Sequence, residues 1–196
     1  PHYSAMSIGA YNAAVDKAES GIETASIDRW NLMPGYLEAL TDRINDALQK
    51  FPEDVRDSVP IIYTAHSLPE RIRENNDPYE ADLKETFEAM NAQFPEHPGH
   101  WAYQSAAMTH EPWLGPDGSE VIDEIHKAGG KHVLIVPVGF VCEHVEILFD
   151  IDVEFKEQAE ELGMQLERIT MVNDHPAMMR GLAELVRERA QEAGWI

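Results

Sequence analysis

The sequence predicts an α/β fold, a parallel β-sheet flanked by helices on both faces in three layers. Short apolar, partly β-branched runs of the kind that form buried strands recur along the chain. Between them lie segments whose apolar residues repeat at helical spacing, and such strand–helix alternation builds a parallel sheet covered on both sides. A length of 196 residues is enough for one such domain with a real core.

Each element follows in order. The first expected strand is Ile22–Ile27, and Leu37, Leu40, Ile44, Leu48 and Phe51 then mark a helix. Val59–Thr64 is the second strand. It stops at His66, and Pro69 pushes Leu68 out of the helical region, so the chain must turn there. Tyr79, Leu83, Phe87, Met90 and Phe94 mark the next helix, and His100–Ser105 the third strand. Asp117 and Glu120 form a capping-box pattern ahead of Val121, Ile122 and Ile125, and Gly129-Gly130 ends that helix. His132–Val138 is the fourth strand and leaves through Pro137 and Gly139 into an acidic helix. Gln165–Met171 is the fifth, and Pro176 opens a last helix carrying Leu182, Leu185 and Val186. No internal repeat or low-complexity linker interrupts the pattern.

Composition narrows the function classes. Hydrophobic content of 43% and charged content of 26% are ordinary for a globular protein. No apolar run approaches the ~20 residues of a membrane span, so no stable membrane insertion is expected. The single Cys142 excludes a disulfide framework, a zinc ribbon and a four-cysteine iron–sulfur cluster within this chain, and a cytoplasmic location is expected. Asp and Glu number 36 against 15 Lys and Arg, a formal net charge of −21. Such a surface repels nucleic acid and anionic membranes and attracts cations.

In open α/β sheets ligands bind at the carboxyl ends of the strands. Three stretches fall there. His66 ends its strand either as a hydrogen-bonded structural residue or as a ligand or base. In "VPVGFVCEHVEILFDIDVEF", Glu146, Asp150 and Glu154 stand at i, i+4 and i+8, a row of like charges that serves either a cation or solvation. With His66 and His144 the row suits Fe, Mn, Co or Zn better than Ca, His144 fitting a cap or a supporting partner better than a direct ligand. In "QSAAMTHEPWLGPD", a loop stiffened by Pro112, Gly115 and Pro116 carries Trp113 and Leu114, which suit a flat apolar substrate or a satellite core.

Together, "TAHSLPE", "QS…PWLGPD" and "VPVGFVCEHVEILFDIDVE" resemble three motifs of the ferrochelatase family, in order and at matching spacing. "PHYSAMSIGAYN" resembles the substrate loop that opens the family's C-terminal half. The wording "WLGPD" and "GFV.EH.EILFD" is most similar to the bacterial coproporphyrin-using branch.

The resemblance implies a chelatase-like, Rossmann-like domain over residues 21–196. It also implies that residues 1–20 form a substrate loop and helix leading from an N-terminal domain outside this sequence. It further implies insertion of Fe²⁺, as substrate, into a porphyrin, either coproporphyrin III or protoporphyrin IX. His66 matches the metal-binding histidine that helps remove porphyrin protons, and Glu146 the glutamate facing it across the macrocycle. Asp150 and Glu154 match outer acidic positions, while Tyr11 and Trp113 match porphyrin contacts. Thr64 stands where serine is commoner, and Cys142-Glu143 replaces a small residue and Asp. A cobalt or sirohydrochlorin chelatase shares the fold, as would a non-catalytic metal or tetrapyrrole binding module.

Overall fold

A computed structural model describes residues 1–18 and 21–196. The sheet has four parallel strands in the order β2-β1-β3-β4: β1 Ile61–His66, β2 Gly99–Gln104, β3 His132–Val136 and β4 Gln165–Arg168. Seven α-helices surround it among the described residues: α1 Ile8–Lys17, α2 Pro34–Leu48, α3 Tyr79–Asn91, α4 Gly118–Lys127, α5 Val145–Phe149, α6 Lys156–Glu161 and α7 Pro176–Glu192. Residues Asp150–Phe155 join α5 to α6 as a π-helix.

Strand parity sorts the core into two layers. Ile61 and Tyr63 of β1 and Leu134 and Val136 of β3 pack with α2, with Met90 of α3 and with Met178 of α7. Ile62, Val133 and Ile135 point the other way, against Val121, Ile122 and Ile125 of α4 and Ile147, Ile151, Phe155 and Ala159 of the acidic helix. Central strands buried on both faces read as continuous apolar runs, which is why β1 and β3 are plain in the sequence. The capping box of α4 forms as expected, with Ser119 N donating to Asp117 Oδ1 (2.9 Å) and Asp117 N to Glu120 Oε2 (3.0 Å). Gly129 follows with φ +91°, and Pro176 opens α7.

One expected strand is corrected. Residues 22–27 form no strand among the described residues, and the sheet has four strands rather than five. Glu23, Thr24 and Ser26 are exposed and Ile22 is 74% exposed, so this segment lacks the buried face that holds a strand in a sheet. The expected boundary at residue 20 adjoins residues 19 and 20, which lie outside the described residues. Ahead of it, the amino-terminal segment is tied to α3 and the turn before it. Tyr3 N donates to Asp82 Oδ2 (3.1 Å), and Ser4 Oγ and Ala5 N donate to Asp77 Oδ2 (3.0 and 2.7 Å).

Gly139 lets the chain leaving β3 cross close to the end of β1. Its N–H donates to Thr64 O (3.1 Å), and a Cβ there would lie 2.6 Å from Ala65 Cβ and 2.8 Å from Ala65 Cα. Gly139→Ala is therefore expected to lower the unfolding free energy by about 1–3 kcal/mol through overpacking, measurable by urea denaturation.

Candidate functional site

His66 is the last residue of β1, half-buried at the carboxyl edge of the sheet. Its Nδ1 lies 2.6 Å from the Ser67 carbonyl, an acceptor only, so Nδ1 carries the proton of the neutral ring and Nε2 presents a lone pair. That Nε2 faces Glu146 Oε2 at 3.8 Å. The gap is too long for a hydrogen bond, yet two metal–ligand bonds of about 2.1 Å would span it at an angle of ~130°. Both side chains are open to an incoming ligand, at 36% and 51% exposure.

The backbone around His66 is pinned from three sides. Ser67 N donates to Gln104 O (2.8 Å), and the buried Ser67 Oγ donates to Leu114 O (2.8 Å). The Tyr79 hydroxyl, kept protonated by burial that raises its pKa, donates to His66 O (2.8 Å). The Trp113 loop packs onto the turn after His66 as an antiparallel bridge between Pro69 and Trp113. Glu70 N donates to Pro112 O and Leu114 N to Leu68 O, both at 2.9 Å. Trp113 is itself half-buried and donates from Nε1 to Thr109 Oγ1 (2.7 Å).

The acidic helix supplies the opposite wall. An i, i+4, i+8 row drifts by about 40° per step on an α-helix. The π-helix of residues Asp150–Phe155 widens the turn and takes back part of that drift, and Ile147, Ile151, Phe155 and Ala159 are all buried. Glu146 faces His66, while Asp150 and Glu154 line a cavity of about 390 Å³ with Ser105, Asp117 and Gln158. Asp150 accepts from Ser105 Oγ and, at 3.4 Å, from Gln104 Nε2. Gln104 Oε1 in turn accepts from the buried Thr64 Oγ1 (2.8 Å), so threonine supplies the hydroxyl at this position.

The sequence-derived candidates are not all brought together. His144 occupies the N-cap position of α5 but its side chain makes no cap bond, and its ring packs on Phe140 at 5.0 Å. Tyr11, 71% exposed on α1, lines a separate groove of about 530 Å³ with Asn12, Ser26 and Arg189. Among the described residues no three of His, Cys, Asp and Glu converge to hold a metal ion. At 3.8 Å the two side chains of His66 and Glu146 as placed leave no room for a flat π-system between them, which needs about 3.5 Å on each face. Ser105 and Arg168 escaped the sequence reading. Ser105 stands at a strand end in the sequence, whereas Arg168 lies 16 residues beyond Asp152 and offers no local signal.

The molecule is thus an α/β protein with an imidazole and a carboxylate 3.8 Å apart at the carboxyl edge of a parallel sheet, beside an acid-lined cavity. The ferrochelatase family model matches residues 1–190. A ferrochelatase of Herpetosiphon aurantiacus is 44% identical over 190 residues, covering 95% of this chain and 62% of that protein. One from Deinococcus radiodurans is 42% identical over 198 residues, covering 98% and 63% respectively. A coproporphyrin III ferrochelatase of Listeria monocytogenes is 37% identical over 195 residues, covering 96% and 62%. The chain belongs to the ferrochelatase family, and it spans 62–63% of the length of these curated relatives. No helix among the described residues is long and apolar enough to cross a membrane.

The Thr64–Gln104–Asp150 chain yields a stability test. Thr64→Val leaves the buried Gln104 oxygen without its donor and is expected to cost about 1–3 kcal/mol in urea denaturation. Thr64→Ser, which keeps the hydroxyl, is expected to stay close to the parent.

Proposed function

We propose that the protein inserts Fe²⁺ into a porphyrin with release of the two inner N–H protons, and that coproporphyrin III is its better substrate. The observation that carries this reading is the His66–Glu146 pair, with a free Nε2 lone pair 3.8 Å from a carboxylate oxygen. Two side-chain donors leave most positions of an ion open, which suits an ion handed on rather than one retained. Family membership supports the same chemistry.

The residues divide the work as follows. Fe²⁺ is held between His66 Nε2 and Glu146. A planar porphyrin hides its lone pairs, so the site binds it bent, at a cost of roughly 1–5 kcal/mol drawn from contacts elsewhere on the ring. As iron passes to the pyrrole nitrogens, Nε2 and the carboxylate are released and each takes one of the two protons. Asp150 and Glu154 exchange ions or protons with solvent through their cavity. Trp113 and Tyr11 contact the macrocycle, with residues 1–20 acting as substrate loop and helix and residues 21–196 as the chelatase domain.

Substrate preference rests on two supports: the branch-like wording around Trp113 and Glu146, and the name of the Listeria monocytogenes relative. A site with donors for carboxylates discriminates strongly between coproporphyrin, which carries four propionates, and protoporphyrin, which carries two and two apolar vinyls.

In the intact protein, His66→Ala is expected to reduce metallation by about 10²-fold or more while porphyrin binding, followed by absorbance, persists. Wild-type turnover in that variant would overturn the assignment. Glu146→Gln should nearly abolish turnover, whereas Asp150→Asn and Glu154→Gln should mainly raise the Fe²⁺ KM. Equal small effects at all three would reduce the row to a solvated face. Coproporphyrin III should show the higher kcat/KM, narrowing as salt screens its carboxylates; a preference for protoporphyrin IX at low salt would reverse the substrate assignment.

A further inference from the structure

Arg168 ends β4 with its side chain only 10% exposed, and it brackets the acidic helix from behind. Its guanidinium grips Asp152 with a two-pronged fork, Nε to Oδ1 and Nη2 to Oδ2, both at 2.8 Å. The same group reaches Glu143 from Nη1 (3.2 Å) and Nη2 (3.1 Å), and Nη1 also donates to Ile169 O (2.7 Å). Glu143 is held further by Met171 N (3.1 Å), and its own N–H donates to Asn173 Oδ1 (3.0 Å). Asn173 N closes the bracket on Val141 O (2.8 Å).

Glu143 lies just before Glu146, and Asp152 lies within the π-helix just after Asp150. One guanidinium thus joins the chain on both sides of the segment that faces His66, without being paired to Glu146 itself. From Glu143 to Glu154 the sequence carries five carboxylates and no Lys or Arg. Without an outside cation their mutual repulsion would favour splaying of this segment. A planar fork that satisfies two carboxylates at once fixes orientation as well as charge, which an ammonium does less well.

We propose that Arg168 is a positioning residue for the metal: it sets the His66–Glu146 separation by locking the acidic helix at Glu143 and Asp152. The inference rests on the proposal that this pair receives the ion. Co²⁺ serves as the probe, titrated by absorbance into the intact protein, with His66→Ala marking the site. Arg168→Gln is expected to weaken Co²⁺ binding by about 10-fold or more, and Arg168→Lys to recover part of the loss. In turnover, the Fe²⁺ KM should rise by a similar factor while the porphyrin KM stays within about twofold.

A general structural role would instead move both KM values together and leave Co²⁺ affinity in the folded protein unchanged, and either result overturns the inference. If Arg168→Gln does not fold, Glu143→Gln and Asp152→Asn each remove one arm. Weakened Co²⁺ binding in either supports the inference, and parental affinity in both overturns it. A parent that binds Co²⁺ at His66 but metallates no porphyrin overturns the functional proposal alone, and the Co²⁺ comparison still decides the role of Arg168. A parent that binds no Co²⁺ there overturns both.

Discussion

Ser67 uses all three of its polar groups, and the geometry of the site depends on that. Its carbonyl fixes the tautomer of His66, its N–H fastens the chain to the end of β2, and its hydroxyl holds the Trp113 loop through Leu114 O. The residue is fully buried, so each of these groups must find a partner within the protein. The turn after β1 has little freedom left. The imidazole, the neighbouring strand end and the aromatic loop are positioned by one residue whose side chain never reaches the ligand edge.

The opposite wall obeys a different constraint. Ile147, Ile151, Phe155 and Ala159 are buried in a row along the acidic helix, whose middle turns are widened into a π-helix. On the same helix Glu146 faces His66 while Asp150 and Glu154 share a cavity. The π-helix is weaker than the α-helix it replaces, and its use where the site lies fits the common placement of such bulges at functional positions.

Much of the fold was legible in the sequence because β1 and β3 are buried on both faces and spell that burial as unbroken apolar runs. The capping box of α4 and the proline opening α7 are local signals, and local signals survive translation into three dimensions. Ile22–Ile27 has the β-branched content of a strand but not its buried face: Glu23, Thr24 and Ser26 within it are exposed. His66 was visible as the abrupt end of a run, and the carboxylate row by its spacing. The π-helix was not visible, since the spacing of apolar residues is the same whether the turn is tight or wide. Arg168 was hidden for another reason: its partners Glu143 and Asp152 are distant in sequence, and only the pairing of β3 with β4 brings them within reach.

The strand order leaves β2 and β4 at the margins, where unpaired backbone groups invite strands from other molecules. Both margins are guarded. β4 is only four residues long, which leaves little edge for another strand to pair with. On β2, Tyr103 N is already taken by Pro116 O (2.8 Å), and the side chain of Asn91 crowds Gly99 at the other end. With a formal charge of −21 on every copy, approach of one sheet to another is opposed at long range and obstructed at contact. Among the described residues the two margins of the sheet are thus narrow or blocked, while the carboxyl ends of its strands stay open.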